Sequence, residues 1–88
     1  MKASKRGDFK IAIEFYQLAL RIAKDTGNKD QEATIYNNLG SAYQSLSDFK
    51  KAIEFCQLAL RIAKDTGNKD QEGTTYNLNA TMVRHKRL

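Results

Sequence analysis

The stretch DFKKAIEFCQLALRIAKDTGNKDQEGTTYN, residues 48–77, repeats the stretch DFKIAIEFYQLALRIAKDTGNKDQEATIYN, residues 8–37. The two copies differ at four of 30 aligned positions, which are Ile11/Lys51, Tyr16/Cys56, Ala33/Gly73 and Ile35/Thr75. A fixed period of 40 residues indicates a repeat architecture. We therefore predict one small domain over residues 1–88, with units at 8–47 and 48–87, the second of which loses the pattern after residue 77.

Each unit contains two helical patterns. In the second unit, Asp48 can cap a helix whose apolar residues recur every three or four positions, and Gly67 suits the left-handed position that ends it. Asn68 can then cap the next helix, with Gln71 placed for a reciprocal capping box. We predict an all-α, helical-hairpin solenoid of four antiparallel helices, at about residues 8–26, 29–46, 48–66 and 69–84.

The segment GNKDQ, at residues 27–31 and 67–71, also suggests a nucleotide-binding loop. A guanine-specificity loop needs Asn-Lys-x-Asp, but Gln31 occupies the position of the Asp, and no glycine-rich phosphate loop precedes it. We therefore interpret the segment as the end of one helix and the start of the next.

A second motif follows the spacing Tyr36-x-x-Leu39-Gly40-x-x-Tyr43, then eight residues, then Ala52-x-x-x-Cys56-x-x-Ala59. This pattern resembles the tetratricopeptide repeat, in which small residues let the two helices of a pair approach closely. The resemblance covers residues 8–77. The chain departs from the family pattern in that Tyr36 replaces the usual Trp and Cys56 replaces a large aromatic residue.

Lys24 and Lys64 stand where the family often has Pro. The second helix of each pair therefore continues for several more residues, and the unit lengthens to 40 residues. In this respect the chain is similar to the long arrays of some animal scaffold proteins, namely the Partner-of-Inscuteable type and tetratricopeptide repeat protein 28. The pattern amounts to one intact repeat flanked by two half-repeats. In the last of these, the Leu-Gly pair is lost at Asn79-Ala80, or is shifted by one residue if Leu78 replaces Leu39.

The resemblance implies a non-catalytic scaffold for protein–protein interaction that binds a peptide or a partner helix. The family's ligand-facing positions on the concave surface correspond here to Thr34, Asn37, Asn38, Ser41, Gln44, Thr74, Asn77, Thr81 and Arg84. These amides and hydroxyls suit hydrogen bonding to a peptide backbone or carboxylate. Related clamps place an Asn at the position of Asn38, but their Lys/Arg residues are missing at Asn37 and Ser41, which argues against acidic C-termini as ligands. The alternative is a polar stripe that faces solvent and binds nothing.

No residues form a catalytic or metal-binding pattern. Charged pairs such as Lys50–Glu54 have the spacing of a solvated helix surface. Cys56 lies on the apolar stripe without a His partner in its repeat, which favours a core residue over a nucleophile. His85 is the only His of the chain. We therefore predict no enzymatic activity, no catalytic residues, no metal and no cofactor.

The net charge of +5 belongs to the two ends of the chain. Residues 1–10 carry +3 and residues 84–88 carry +3, so the remaining residues carry −1. A nucleic-acid binder would carry a basic stripe with stacking aromatics, and this pattern is missing, so we predict no nucleic-acid partner. Contact of the basic ends with nucleic acid or an anionic membrane stays a third alternative. No apolar run is long enough to span a bilayer, no secretory signal is apparent and only one Cys is present, so we expect a cytoplasmic protein.

The helix predicted to begin at Asp8 carries the same apolar residues as its copy at Asp48, but only MKASKRG precedes it. Seven residues reach about 10 Å as a helix, which is too short to cover that stripe. We therefore expect the chain to form a homo-oligomer or to bind an amphipathic helix there. The alternative to a scaffold function is accordingly a truncated, mainly structural array fragment that associates with itself through its open ends.

Overall fold

Four helices make up the part of the chain that the computed structural model describes, which is the backbone of residues 5–87 and the side chains of residues 7–80. They are α1 (Lys5–Thr26), α2 (Lys29–Ser45), α3 (Phe49–Thr66) and α4 (Lys69–Arg87). Turns of two or three residues join them, so that consecutive helices pack against each other. The all-α helical-hairpin class predicted from the repeat is confirmed, and the described residues contain no strand.

The turns after α1 and α3 have the predicted chemistry. Gly67 adopts the left-handed conformation, with φ of 73°. The N–H of Asn68 donates to the Ala63 carbonyl oxygen at 2.9 Å, which satisfies a carbonyl at the end of α3. The Asn68 side-chain oxygen in turn accepts from the Gln71 N–H at 3.1 Å and caps α4. Gly27 has φ of 69° and lies in the equivalent turn, so the helix-stop, helix-start interpretation is confirmed.

The turn between α2 and α3 has the same geometry without a glycine. Ser47 has φ of 64°, a conformation that residues with a Cβ seldom adopt. Its N–H donates to the Gln44 carbonyl at 2.9 Å, and the N–H of Asp48 donates to the Tyr43 carbonyl at 2.9 Å. The Asp48 carboxylate accepts from the Lys51 N–H at 3.3 Å, so Asp48 caps α3 as predicted.

Helix α1 begins at Lys5 rather than at residue 8, and α4 continues to Arg87 rather than ending near residue 84. Lys and Arg are good helix formers, and the backbone does not reverse at Gly7 as it does at the equivalent Ser47. The helix start predicted near residue 8 is therefore three residues too late.

Helix α2 lies at the centre of the structure and contacts the other three helices. Leu39 is fully buried, and Gly40 is buried beside it. The Phe55 ring of α3 stacks on Tyr36 and Tyr43 of α2, with centroid distances of 5.9 and 5.6 Å. Seven buried residues form this main core, namely Ile13, Ala23, Ile35, Tyr36, Leu39, Ala42 and Ala59.

A second, smaller cluster joins α3 to α4. Ala52 and Cys56 are fully buried there, and Leu78 of α4 packs against them. Leu78, and not Asn79, thus provides the leucine contact, so the leucine of the motif has shifted by one residue. The Asn79 side-chain oxygen is buried and has no hydrogen-bond partner among the described residues. A buried polar atom without a partner costs about 1–3 kcal/mol of stability.

Candidate peptide-binding groove

A groove of about 430 Å³ runs between α2 and α4. All of its lining residues are polar or charged, and they are Thr34, Asn37, Asn38, Asn68, Asp70, Gln71 and Thr74. The 40-residue period places α2 and α4 at equivalent positions of successive units. The same face of each helix therefore lines one shared surface.

A chain of side-chain hydrogen bonds crosses from α2 to α4 beneath this groove. The Gln71 amide donates to the Thr34 hydroxyl at 2.7 Å. The Asn37 amide donates to the Gln71 side-chain oxygen at 2.8 Å, and the Asn37 side-chain oxygen lies 3.0 Å from the Thr75 hydroxyl that donates to it. The Thr75 hydroxyl also lies 2.9 Å from the Gln71 carbonyl oxygen. These bonds fix the distance between the two helices.

Two of the residues predicted to face a ligand belong to this network. Asn37 is only 9% exposed, and its side chain bonds to Gln71 and Thr75. The Thr34 hydroxyl donates to the Asp30 carbonyl at 3.0 Å and accepts from Gln71. Both residues line the groove, but their hydrogen-bonding groups are already engaged, so their effect on a ligand would be through the shape of the groove.

The other predicted residues fall into three groups. Asn38 and Thr74 line the groove and are exposed. Ser41, Gln44 and Asn77 lie on α2 or α4 but do not line it. Thr81 and Arg84 belong to α4, but their side chains lie outside the described part of the chain.

The sequence model of the tetratricopeptide repeat family matches residues 3–65 and 31–84, which together span most of the chain. The chain belongs to the tetratricopeptide repeat family. A comparison with curated proteins found no significant match, and neither did a comparison with solved structures. Membership in the family indicates a protein–protein interaction scaffold, and tetratricopeptide repeats are typically non-catalytic.

Sequence reasoning missed three lining residues of this tetratricopeptide repeat groove, namely Asn68, Asp70 and Gln71. The spacing predicts a capping box for Gln71, but its side chain points to α2 and only the bond from its N–H to Asn68 is formed. The replacement of Ile35 by Thr75 carries a signal for this contact. A hydroxyl at a core position needs a polar partner, and Asn37 provides it.

Among the described residues that line the groove, Asp70 is the only charged one. The nearby ammonium group of Lys69 lies 3.7 Å from the Glu72 carboxylate on the same helix. The Asp70 carboxylate therefore disfavours an acidic ligand beside it.

Within the described residues, no three His, Cys, Asp or Glu side chains are close enough to hold a metal ion. The Cys56 thiol is fully buried, and burial raises its pKa to about 11. A thiol that stays protonated and inaccessible at neutral pH is a poor nucleophile. In the part of the chain described, no helix is both long and apolar enough to cross a membrane.

Proposed function

We propose that this chain is a non-catalytic protein–protein interaction scaffold and that its α2–α4 groove binds an extended peptide segment of a partner. The observation that carries the proposal is the fully polar lining of the groove over a hydrogen-bonded base. Because the network already orders Thr34, Asn37 and Gln71, a ligand would lose little affinity to ordering the protein.

Asn38 and Thr74 are the direct contacts in this proposal. Both side chains are exposed and stand on the two helices that flank the groove. An Asn amide offers donors and an acceptor, and a Thr hydroxyl offers both, so together they match the alternating N–H and C=O groups of an extended peptide.

Charge provides the selectivity. Asp70 would repel a free C-terminal carboxylate or an acidic side chain and would attract a Lys or Arg of the ligand. We therefore expect neutral or basic internal segments, and not acidic C-termini, to be the ligands.

An array of short synthetic peptides with systematically varied charge tests this proposal. We expect neutral and basic peptides to bind, and replacement of both Asn38 and Thr74 by Ala to weaken their binding about tenfold or more. Asp70→Lys should shift the preference toward acidic peptides. Gln57→Ala, on the exposed surface of α3, is the matched control and should bind as the parent does. Failure of every peptide to bind, or equal binding by the double variant, would contradict a peptide site in this groove.

The repeat length and the cysteine content extend the proposal. The 40-residue unit supports a place among the long-unit tetratricopeptide arrays of the Partner-of-Inscuteable type and of tetratricopeptide repeat protein 28. A single, buried Cys fits a reducing compartment such as the cytoplasm.

A further inference from the structure

Helix α1 carries a stripe of exposed apolar side chains. Its members are separated by four, three and four residues and are Ile11, Phe15, Leu18 and Ile22. This spacing places them on one face of the helix. Phe15 is 65% exposed, more than any other exposed large apolar side chain. A contiguous stripe of this kind marks an interaction surface, whereas single exposed apolar residues do not.

The second unit shows which kind of helix covers this face. Phe55, Leu58 and Ile62 are the copies of Phe15, Leu18 and Ile22, and all three are partly buried against the main core. Phe55 stacks on two tyrosines of α2, as described above. The face therefore accepts a helix that presents the side chains of α2.

Helix α4 is the copy of α2, and its own aromatic residue is uncovered. Tyr76 is 47% exposed, whereas the equivalent Tyr36 is 6% exposed because α3 covers it. The neighbouring lysines are arranged alike, with the Lys24 ammonium 6.0 Å from the Tyr36 ring centroid and the Lys64 ammonium 5.7 Å from that of Tyr76. Tyr76 is thus positioned on its hairpin as Tyr36 is.

We propose that two copies of this chain associate head to tail, with α4 of one copy covering the apolar stripe on α1 of the next. In this contact Tyr76 stacks on Phe15 as Tyr36 stacks on Phe55 within one chain. The α2–α4 groove takes no part in the contact, so this proposal succeeds or fails independently of the proposed peptide binding.

One sequence difference supports this arrangement. Within the chain, the Lys51 ammonium lies 5.4 Å from the centroid of the Tyr43 ring. The equivalent position of α1 is Ile11, which adds an apolar side chain to the exposed stripe.

A contact between two different faces leaves one of each kind free at the ends of the assembly, so it adds copies without closing at a dimer. Charge opposes this growth. Each copy carries a net charge of +5, so the copies repel one another. Added salt screens this repulsion, so association should strengthen as the ionic strength rises.

Sedimentation velocity on the full chain, from micromolar to millimolar concentration at low and high salt, tests the proposal. Phe15→Asp removes the α1 face and Tyr76→Asp removes the α4 face. Both residues are well exposed, and circular dichroism would verify that the variants keep their helices. We expect each variant alone to associate more weakly than the parent by a factor of about 30 or more. The control Gln57→Asp adds a charge to α3 and should associate as the parent does.

Mixing the two variants gives the decisive result. Phe15→Asp retains the α4 face and Tyr76→Asp retains the α1 face, so an equimolar mixture should form a 1:1 dimer that grows no further. A parent chain that stays monomeric at millimolar concentration and high salt would overturn the proposal. So would a mixture that stays monomeric, or a Tyr76→Asp variant that associates as strongly as the parent, because the α1 stripes would then be pairing with each other.

Discussion

Helices α1 and α3 contain nearly the same residues, yet their apolar side chains have different surroundings. Phe55 of α3 stacks between Tyr36 and Tyr43, whereas its copy Phe15 of α1 is mostly exposed. The two helices differ at two of the 19 aligned positions from 8–26 and 48–66, so their sequences do not account for this difference. The neighbour on one side accounts for it, because α3 has α2 there and no described helix covers the same side of α1.

This comparison separates the formation of a helix from the stability that the helix adds to the fold. Amphipathic periodicity specifies that both segments are helical, and both are. The free energy gained from the apolar stripe depends on burial. The same Phe side chain therefore stabilises the fold in one unit and forms part of an exposed apolar surface in the other.

The largest expected effect comes from truncating the two phenylalanines. Phe55→Ala should destabilise the fold by about 2–4 kcal/mol, since it removes a ring that packs on two tyrosines. Phe15→Ala should change the stability of the monomer by less than about 0.5 kcal/mol, because the ring is exposed. Urea unfolding at a concentration too low for association measures both. Equal losses of stability in the two variants would show that the α1 stripe is covered within the monomer.

A second difference between the copies predicts a pH dependence. Burial raises the Cys56 pKa from 9.0 to about 11, so the folded chain keeps the thiol proton where the unfolded chain releases it. The corresponding stability is fully present below pH 9 and is lost as the pH rises through 11, a loss on the order of 2 kcal/mol.

Urea unfolding at pH 8 and at pH 10.5 tests this dependence, with Cys56→Ala as the control, because the Tyr and Lys residues titrate in both proteins. We expect the stability of the variant to fall less than that of the parent over this interval. An identical fall in both proteins would show that Cys56 does not contribute.

The smallest expected effects concern the turns between helices. The left-handed position is a Ser in the turn between α2 and α3 and a Gly in the other two turns. Ser47 and Gly67 have almost the same left-handed φ, but only Ser47 has a Cβ. Ser47→Gly should stabilise the fold by about 0.5–1 kcal/mol, and Gly67→Ala should destabilise it by about 1 kcal/mol. A Cβ at Gly67 would meet no atom within 4 Å, so the effect there comes from the backbone alone. Thermal melts of both variants measure the shifts, and shifts in the same direction would contradict this explanation.

The turns at Gly27 and Gly67 could be predicted from sequence because their chemistry is local. A glycine followed by an Asn cap determines the backbone within a few residues. The helical class followed from the repeat for a similar reason. The difference between Gly7 and Ser47 could not be predicted in this way. Glycine is the better residue for a left-handed turn, yet Gly7 is helical and Ser47 makes the turn, because α2 must fold back there onto α3.

The lining of the groove could be predicted only in part. The resemblance to the tetratricopeptide repeat implied Thr34, Asn37, Asn38 and Thr74 as ligand-facing residues, and all four line the groove. Which of them is buried depends on the distance between α2 and α4 and on the rotamer of Gln71, and neither is a property of a short segment. The local spacing around Gln71 therefore predicts a helix cap, whereas its side chain reaches across to α2.

The bond between Asn37 and Thr75 has a consequence for how this chain avoids misfolding. Two units that match at 26 of 30 positions invite errors in which one helix takes the place of its copy, within one molecule or between two. If α2 of another chain occupied the position of α4, Ile35 would face Asn37 in place of Thr75. The buried Asn37 oxygen would then lose the donor that lies 3.0 Å away in the native arrangement, at a cost of about 1–3 kcal/mol. The Thr75 hydroxyl thus distinguishes the second unit from the first and favours the native order of the helices over a swapped one.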